Sequence, residues 1–373
     1  MRIINLIENT QGHTRCACEH GLCFYVETIR HKLLVDTGAS DLLMQNAQRL
    51  GVDLTKVDTV FLSHGHSDHG GGILPFSKIN PDARIYMQAS ADGAFYSFST
   101  GTERFIGLSE ETLQLPQINF LRDESGFKRI DDELSVFWNI KDACPSPGSN
   151  AFLKIKKPGE TGAFVQDDFR HEQCLVIRQG GRHILFSGCA HHGILNILER
   201  FREIYGTDPD AVISGFHMMQ KSGYSDADIE QIISTALALK KTDTVFYTGH
   251  CTGVQPYEAM RKILGDQIRY IHCGDEVILP EAGRRTGTIL PFRPAGAPAS
   301  RTSAEPSPEP DQAANRSAVS DEKAASESAA AAMKPASPAK HKKGSTRMKY
   351  HKFFAWATVV CFVMTMITGY QKK

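Results

Sequence analysis

The chain has 373 residues, of which 41% are apolar and 23% are charged, so its composition is that of a globular protein with a sizeable buried core. Its 42 Lys and Arg residues balance 42 Asp and Glu residues, so the net charge provides no long-range attraction for nucleic acid. Nine cysteines lack the paired spacing of a secreted disulfide framework, and Glu8 and Asn9 precede any export-length apolar run, which predicts reduced thiols and a cytoplasmic catalytic part.

Residues 1 to about 280 alternate short apolar runs with helical patterns, which predicts a layered α/β fold and one catalytic domain over residues 1–290. Ser40 is the predicted N-cap of the first helix. The predicted strands are Phe24–Thr28, Lys32–Asp36, Thr59–Ser63, Cys174–Arg178, His183–Ser187, Ala211–Ser214, Thr244–Thr248 and Tyr270–His272. The predicted helices are Asp41–Leu50, Leu195–Tyr205 and Asp226–Leu239.

The segment 63–72, SHGHSDHGGG, places three imidazoles and a carboxylate within six positions, directly after a predicted strand. A turn that directs His64 and His66 to one metal ion, and Asp68 and His69 to a neighbouring ion, supplies nitrogen and oxygen ligands suited to Zn²⁺, Fe²⁺ or Mn²⁺. The alternative is a solvated histidine-rich loop. The spacing favours a metal site at the end of a strand.

This segment resembles the signature of the metallo-β-lactamase superfamily, and the resemblance covers residues 1 to about 280. It implies an αββα sandwich with the metal site at the edge between two packed sheets. The upstream run LLVDTG, residues 33–38, is similar to the strand and turn whose aspartate supports the site, which implies that Asp36 orients a ligand. A simple structural Asp-Thr-Gly turn is the alternative.

The region from about Ala89 to Lys157 lies in the chain between the first and the second predicted metal loops, so it is expected to shape the pocket. Its aromatic residues either stack on a substrate ring or pack against the sheet, and packing is favoured because aromatic side chains bury large areas. They are Phe95, Tyr96, Phe98, Phe105, Phe120, Phe137 and Trp138.

Four further segments resemble one branch of the superfamily, the dihydropteroate-synthase-like proteins known as 7,8-dihydropterin-6-methyl-4-(β-D-ribofuranosyl)aminobenzene 5′-phosphate synthases. The segments are EHGL at 19–22, GCAHHG at 188–193, SGFHM at 214–218 and GHCTG at 249–253. This resemblance implies that His191 and His250 are the remaining metal ligands. It also implies transfer of a pterin-methyl group from a diphosphate to an aryl amine.

For four residues, the sequence does not decide between a functional and a structural role. Cys189 stands where many superfamily members have a bridging aspartate, and it is either a thiolate ligand or a buried neutral thiol. His171 lies near the mid-chain histidine of the wider superfamily and is a secondary ligand candidate. His217 and His20 either bind substrate, support the site, or serve the fold.

The composition changes to Ala, Pro, Ser, Glu and Lys before the C-terminus, which predicts a disordered linker over residues 291–350. The uncharged run Phe353–Tyr370 follows and nearly suffices to cross a ~30 Å hydrocarbon core as a helix. A C-terminal membrane anchor is therefore predicted for residues 351–373, with the catalytic domain on the cytoplasmic face of the plasma membrane because basic residues precede the run. A buried or oligomerising helix is the alternative.

The metal-ligand motif and the family resemblance together imply a metal-dependent hydrolase or transferase that acts on a small phosphorylated or pterin-like substrate. Its cofactors would be two divalent transition-metal ions, with Zn²⁺ favoured over Mn²⁺ or Fe²⁺, and Asp68 would orient a water molecule or move its proton. The alternative is a membrane-tethered, metal-binding sensory or binding protein with little turnover. Nucleic acid is not an expected partner, because no basic stripe alternates with aromatic residues. The sequence leaves the substrate and the oligomeric state open.

Overall fold

Two large β-sheets pack face to face, and helices cover the outer face of each sheet. The computed structural model describes residues 1–12, 16–157, 163–279, 288–291, 326, 328–330 and 333. The predicted αββα sandwich is confirmed. The strands are β1 Arg2–Ile7, β2 Cys23–Glu27, β3 Lys32–Val35, β4 Thr59–Phe61, β5 Arg84–Gln88, β6 Phe95–Ser97, β7 Arg104–Phe105, β8 Ile118–Leu121, β9 Phe127–Arg129, β10 Leu134–Phe137, β11 Leu153–Lys156, β12 Phe164–Gln166, β13 Cys174–Gln179, β14 Arg182–Ser187, β15 Ala211–Ser214, β16 Val245–Thr248, β17 Ile268–Tyr270, β18 Asp275–Ile278 and β19 Thr288–Pro291. The helices are α1 Leu42–Arg49, α2 Ser67–Gly70, α3 Ile73–Ile79, α4 Glu110–Leu113, α5 Ile194–Tyr205, α6 Asp226–Leu239 and α7 Val254–Leu264.

The first large sheet has eight strands in the order β19-β18-β1-β2-β3-β4-β5-β8. Strands β3, β4, β5 and β8 run parallel, with Leu34 opposite Val60 between β3 and β4. Helices α1 and α3 cover the outer face, where Leu43 and Phe76 are fully buried. Because these four strands are parallel, their carboxyl ends lie at one edge of the sheet.

The second large sheet has seven strands in the order β17-β16-β15-β14-β13-β10-β9. Strands β14 to β17 are parallel and are linked by α5, α6 and α7, which pack on the outer face of the sheet. Helix α6 begins with a capping box in which the Ser225 hydroxyl accepts from the backbone of Asp228. The carboxyl ends of β14 and β16 therefore lie at one edge of this sheet.

The alternation of side chains along each strand builds the core between the sheets. Leu33 and Val35 on β3 face the second sheet, whereas Leu34 between them faces the helices. Phe61 of the first sheet and Tyr247 of the second are among the largest fully buried side chains. Burial of a side chain of this size contributes about 1.5–3 kcal/mol, so this layer fixes the relative position of the two sheets.

The ends of several predicted elements differ from the structure by one or two residues. The N-cap of α1 is Asp41 rather than Ser40, and the Ser40 hydroxyl instead accepts from the Leu42 backbone N–H at 3.1 Å. The strand predicted at Tyr270–His272 lies at Ile268–Tyr270. Strand β1 and helix α7 were not predicted from the sequence, although every residue of β1 after Arg2 is buried.

The predicted pocket-shaping region contributes a separate four-stranded sheet in the order β12-β11-β6-β7. Phe95 on β6 is buried, whereas Phe105 on β7 is half exposed. Phe137 and Trp138 are buried in the cores of the two large sheets. Most of these aromatic residues therefore pack against the fold, as the sequence analysis favours.

The predicted linker and membrane anchor lie largely or wholly outside the described residues. Within the linker, residues 326, 328–330 and 333 are helical, and Ala329 and Met333 pack against the outer core of the seven-stranded sheet. The first compact unit extends over Met1–Lys334. None of the helices in the described part of the chain combines the length and the apolar character that crossing a bilayer requires.

Candidate metal centre

Loops from both large sheets bring the predicted ligands together at the edge of the sandwich. The loop after β4 carries His64, His66, Asp68 and His69, and the last two lie in the short helix α2. The loop after β14 carries Cys189 and His191, and His250 follows β16. Since all three strands end at the same edge, residues nearly two hundred positions apart become neighbours.

The first group of side chains consists of His64, His66 and His191. Their ring centroids lie 4.5 Å (His64–His66), 4.8 Å (His64–His191) and 5.0 Å (His66–His191) apart. All three side chains are buried, and each Nε2 atom lacks a hydrogen-bond partner among the described residues. Buried polar nitrogens are normally paired, so three unpaired ones on converging rings fit a bound metal ion.

The second group consists of Asp68, His69 and His250. The Nε2 atoms of His69 and His250 are 3.2 Å apart, and Oδ2 of Asp68 lies 3.8 Å and 3.4 Å from them. Two imidazole nitrogens and a carboxylate oxygen in this arrangement form a second set of ligands for a divalent transition metal. The structure thus brings together all six predicted metal ligands, in two adjacent groups.

Cys189 lies between the two groups. Its Sγ atom is 3.2 Å from Nε2 of His69, and it shares one cluster of ligand atoms with His64 and His191 and another with His69 and His250. In both clusters the ligand atoms are within 4.8 Å of one another. Burial, together with the adjacent Cys251 thiol, raises the pKa of Cys189. The thiol therefore stays protonated in the absence of a metal, and its position suits a shared ligand when a metal lowers that pKa.

The ionisation of the two groups differs. Burial lowers the pKa of His66 to about 4, and burial together with neighbouring imidazoles lowers the pKa of His64 and His191 well below the ordinary value. These rings are neutral at pH 7 and have free lone pairs. In contrast, burial alone would lower the pKa of His69, but the carboxylates of Asp36 and Asp68 outweigh it and raise the value to about 9. A metal ion in the second group would replace that proton as the counter-charge.

Asp36 forms a hydrogen bond with His69 of the second group and so orients this ligand, as the resemblance implies. Its carboxylate accepts from the Ser63 backbone N–H at 2.7 Å, the Ser63 hydroxyl at 2.8 Å and Nδ1 of His69 at 2.7 Å. The residue is fully buried and has a left-handed backbone, with φ of 59°. A non-glycine residue in this conformation is costly, and here it directs the carboxylate at His69. Asp36 thereby leaves Nε2 of His69 facing the site.

Replacing Asp36 with asparagine is expected to weaken metal binding by about 10- to 100-fold, because an amide has one acceptor oxygen where the carboxylate serves three donors. Competition with a chelator of known affinity measures this change. Asp132→Asn is the matched control, since Asp132 is exposed and pairs with Arg129 at the surface. Unchanged metal affinity in Asp36→Asn would contradict the orienting role.

Two buried glutamates that were not predicted from the sequence hold the ligand loops. Glu8 accepts hydrogen bonds from the His250 backbone N–H and, at 3.0 Å, from the Tyr270 hydroxyl. Glu172 accepts from the His191 backbone N–H and binds Nδ1 of His192 at 2.7 Å. Each carboxylate thus fixes the backbone of one ligand from the second sheet.

Two asparagines, also missed, orient the rings of the same ligands. Asn150 Oδ1 lies 3.0 Å from Nδ1 of His191, and its amide donates to the His191 carbonyl at 2.7 Å. Asn9 Oδ1 lies 2.9 Å from Nδ1 of His250. Because a carbonyl oxygen accepts a proton from Nδ1, each ring turns the lone pair of Nε2 towards the site. Neither asparagine stands in a motif, so no sequence signal identifies it.

Each ring nitrogen of His171 has a partner within the fold. Its Nδ1 accepts from the Gly65 backbone N–H at 2.9 Å, and its Nε2 lies 3.2 Å from Asp167. Asp167 is also 3.9 Å from Nε2 of His66. His171 therefore fixes the loop between His64 and His66, and its ligand atom also lies within 4.8 Å of those of His66 and Asp167. Asp167 is a further neighbour of the first group that the sequence analysis did not select.

His20 and His217 both line the pocket in front of the two groups. The His20 ring lies 5.0 Å from that of His250, and its Nε2 is 3.4 Å from Asp68. The His217 ring lies 4.2 Å from that of His191, and its buried Nδ1 lacks a partner among the described residues. The ligand atoms of His217, Cys189 and Cys251 also lie within 4.8 Å of one another, so Cys251 is a site neighbour that the sequence analysis overlooked.

The comparisons with known proteins agree with this geometry. The Metallo-beta-lactamase superfamily model matches residues 17–143. A protein from Methanocaldococcus jannaschii named 7,8-dihydropterin-6-methyl-4-(beta-D-ribofuranosyl)-aminobenzene-5′-phosphate synthase is 28% identical over 74% of this chain and 95% of its own length. The crystal structure of Tm1679, described as a metal-dependent hydrolase of the beta-lactamase superfamily, is 27% identical with a TM-score of 0.62 over 74% of this chain and 98% of that chain.

Proposed function

The chain carries a metallo-beta-lactamase superfamily domain, and from that premise we propose that it is a metal-dependent hydrolase or transferase acting on a small phosphorylated or pterin-like substrate. The observation that carries the proposal is the pair of ligand groups at the base of one open pocket. Asp68, His191 and His250 all line that pocket, so a small molecule can reach both groups. The named synthase relative supports a phosphorylated substrate.

Divalent metal ions bound by the two groups would supply Lewis acidity, lowering the pKa of a water molecule and stabilising negative charge on oxygen. The ligands from the first loop would be His64, His66, Asp68 and His69, and those from the second sheet would be His191 and His250, with Cys189 between them. Zn²⁺ is the favoured ion because imidazole and thiolate are ligands that it prefers, and Mn²⁺ or Fe²⁺ are alternatives.

Asp68 is the proposed catalytic residue of the chain. Burial would raise the pKa of its carboxyl, but His69, His250 and His20 outweigh this effect and hold the pKa well below the ordinary value. The side chain remains 22% exposed and lines the pocket. An ionised carboxylate in this position accepts a hydrogen bond from a water molecule or an amine and so orients it for attack.

The experiment that tests the proposal uses the purified full-length chain with its metal content determined by elemental analysis. We expect the metal-loaded protein to cleave aryl phosphate esters, or to join a pterin-methyl diphosphate to an aryl amine. The activity should disappear with a chelator and return with Zn²⁺, Mn²⁺ or Fe²⁺. Metal binding without turnover on either substrate class would contradict the enzymatic proposal.

A second candidate function is favoured by the apolar run Phe353–Tyr370, which lies outside the described residues. In this case the domain would be a metal-binding sensory or binding module attached to the cytoplasmic face of the plasma membrane. Retention of the full-length chain in the membrane fraction after a high-salt wash, together with absence of turnover, is the result that this candidate requires. Release of the chain by salt would contradict the membrane attachment.

A further inference from the structure

Two cationic side chains from different parts of the fold line the pocket in front of the candidate metal centre. Arg104 lies on β7 of the four-stranded sheet, and Lys221 lies in the loop between β15 and α6. Both residues are exposed. The lining of this pocket therefore combines one guanidinium and one ammonium group with the candidate metal ligands.

The positive charges of Arg104 and Lys221 face a single carboxylate among the residues that line the pocket. Asp68 is the one carboxylate among the lining residues, and its neighbours are His20, His69 and His250. Within the described part of the chain, neither Arg104 nor Lys221 forms an ion pair; the Lys221 ammonium lies 3.5 Å from the Ser99 hydroxyl. Unpaired cations in a concave surface attract anions, and a guanidinium binds phosphate oxygens in a bidentate manner.

Several hydroxyl groups line the same pocket as the two cations. Ser97, Ser99, Ser149 and Ser222 also line the pocket. The Ser97 hydroxyl donates to the Ser99 hydroxyl at 3.1 Å, and the Ser99 hydroxyl is the group that Lys221 approaches. Hydroxyl donors beside Arg and Lys are the groups that hold phosphate oxygens in proteins, whereas a site for a cationic or purely apolar ligand would require carboxylates or apolar walls.

We propose that Arg104 and Lys221 form an anion subsite that binds a phosphate group of the substrate away from the reacting end. The inference rests on the proposed function, because the metal centre would bind the reacting end of the same molecule. The substrate class is thereby narrowed to small molecules with two anionic groups, one at the metal centre and a phosphate monoester at Arg104 and Lys221. Arg104 and Lys221 would determine specificity and lower KM without taking part in bond breaking.

The test is calorimetric titration of the metal-loaded, full-length protein with inorganic phosphate at fixed ionic strength. We expect phosphate to bind at two sites in the wild type, at the metal centre and at the cationic subsite. In Arg104→Ala with Lys221→Ala, one of the two sites should weaken by roughly tenfold or more, because charge-assisted hydrogen bonds are lost. Metal content should remain unchanged, since neither residue touches a ligand group.

The matched control is Lys128→Ala with Lys241→Ala, which removes the same charge from exposed positions outside the pocket. This variant should bind phosphate as the wild type does. If the Arg104 and Lys221 variant binds phosphate with unchanged affinity and number, the subsite does not exist. If instead no metal binds but the phosphate site at Arg104 and Lys221 persists, the proposed function fails while the subsite stands.

Discussion

Replacing His191 with alanine is expected to reduce the bound metal from about two equivalents per chain to about one, and to lower turnover by ~10³-fold. The ring is fully buried beside His64 and His66, and its Nε2 has no partner among the described residues, so the substitution removes a ligand without breaking a hydrogen bond at that atom. Several kcal/mol of charge stabilisation depend on a bound metal, and this energy sets the size of the loss in rate.

The control for this experiment is His183→Ala. His183 lies on β14 and its ring contacts those of Phe201 and Tyr205, away from the pocket. This variant should retain the full metal content and turnover. Elemental analysis and initial rates are measured on both proteins after circular dichroism has confirmed that they are folded. Two metal equivalents in His191→Ala would contradict the first ligand group.

The second large effect is expected at Cys189. If its Sγ atom is shared by the two ligand groups, Cys189→Ala should lower metal content at both, and Cys189→Asp should restore it, because a carboxylate can also be shared between two ions. The preference among metals should then shift from Zn²⁺ towards Mn²⁺ or Fe²⁺, since a hard oxygen replaces a soft sulfur. Metal competition followed by elemental analysis measures the shift.

A buried neutral thiol gives a different result at the same position. In that case Cys189→Ala and Cys189→Ser should both keep the metal content of the wild type. Cys174→Ala is the matched control, because Cys174 is also fully buried but packs in the outer core of the seven-stranded sheet. It should lower the thermal midpoint and leave metal binding unchanged, so loss of metal in this control would show that Cys189→Ala acts through stability.

The parts of the fold that could be predicted are those in which a local pattern carries the information. Helix α6 lies at the predicted residues Asp226–Leu239, because its capping serine and its apolar spacing are both adjacent in sequence. The histidine-rich segment after β4 is equally local, since four ligand-type residues stand within six positions. His191 and His250 required the resemblance to a known branch, because the residues around them do not repeat the ligand spacing of that segment.

The supporting residues could not be predicted because their partners are distant in sequence. Glu8 meets His250 across 242 positions, and Asn9 meets the same residue across 241. Asn150 meets His191 across 41 positions from a 3₁₀ turn that the sequence analysis did not identify. Such contacts arise only when the sheets pack, and they leave no periodicity or spacing in the sequence.

The division of the ligands between the two large sheets has a consequence for the way in which the protein matures. The loop after β4 is synthesised early, but His250 is added nearly two hundred residues later, and the two loops meet only when the sandwich has closed. Long-range contacts of this kind form late because loop closure precedes them. We therefore expect both ligand groups to be complete only after the two sheets have docked, so that an ion held by ligands from both sheets would mark the chains that have completed folding.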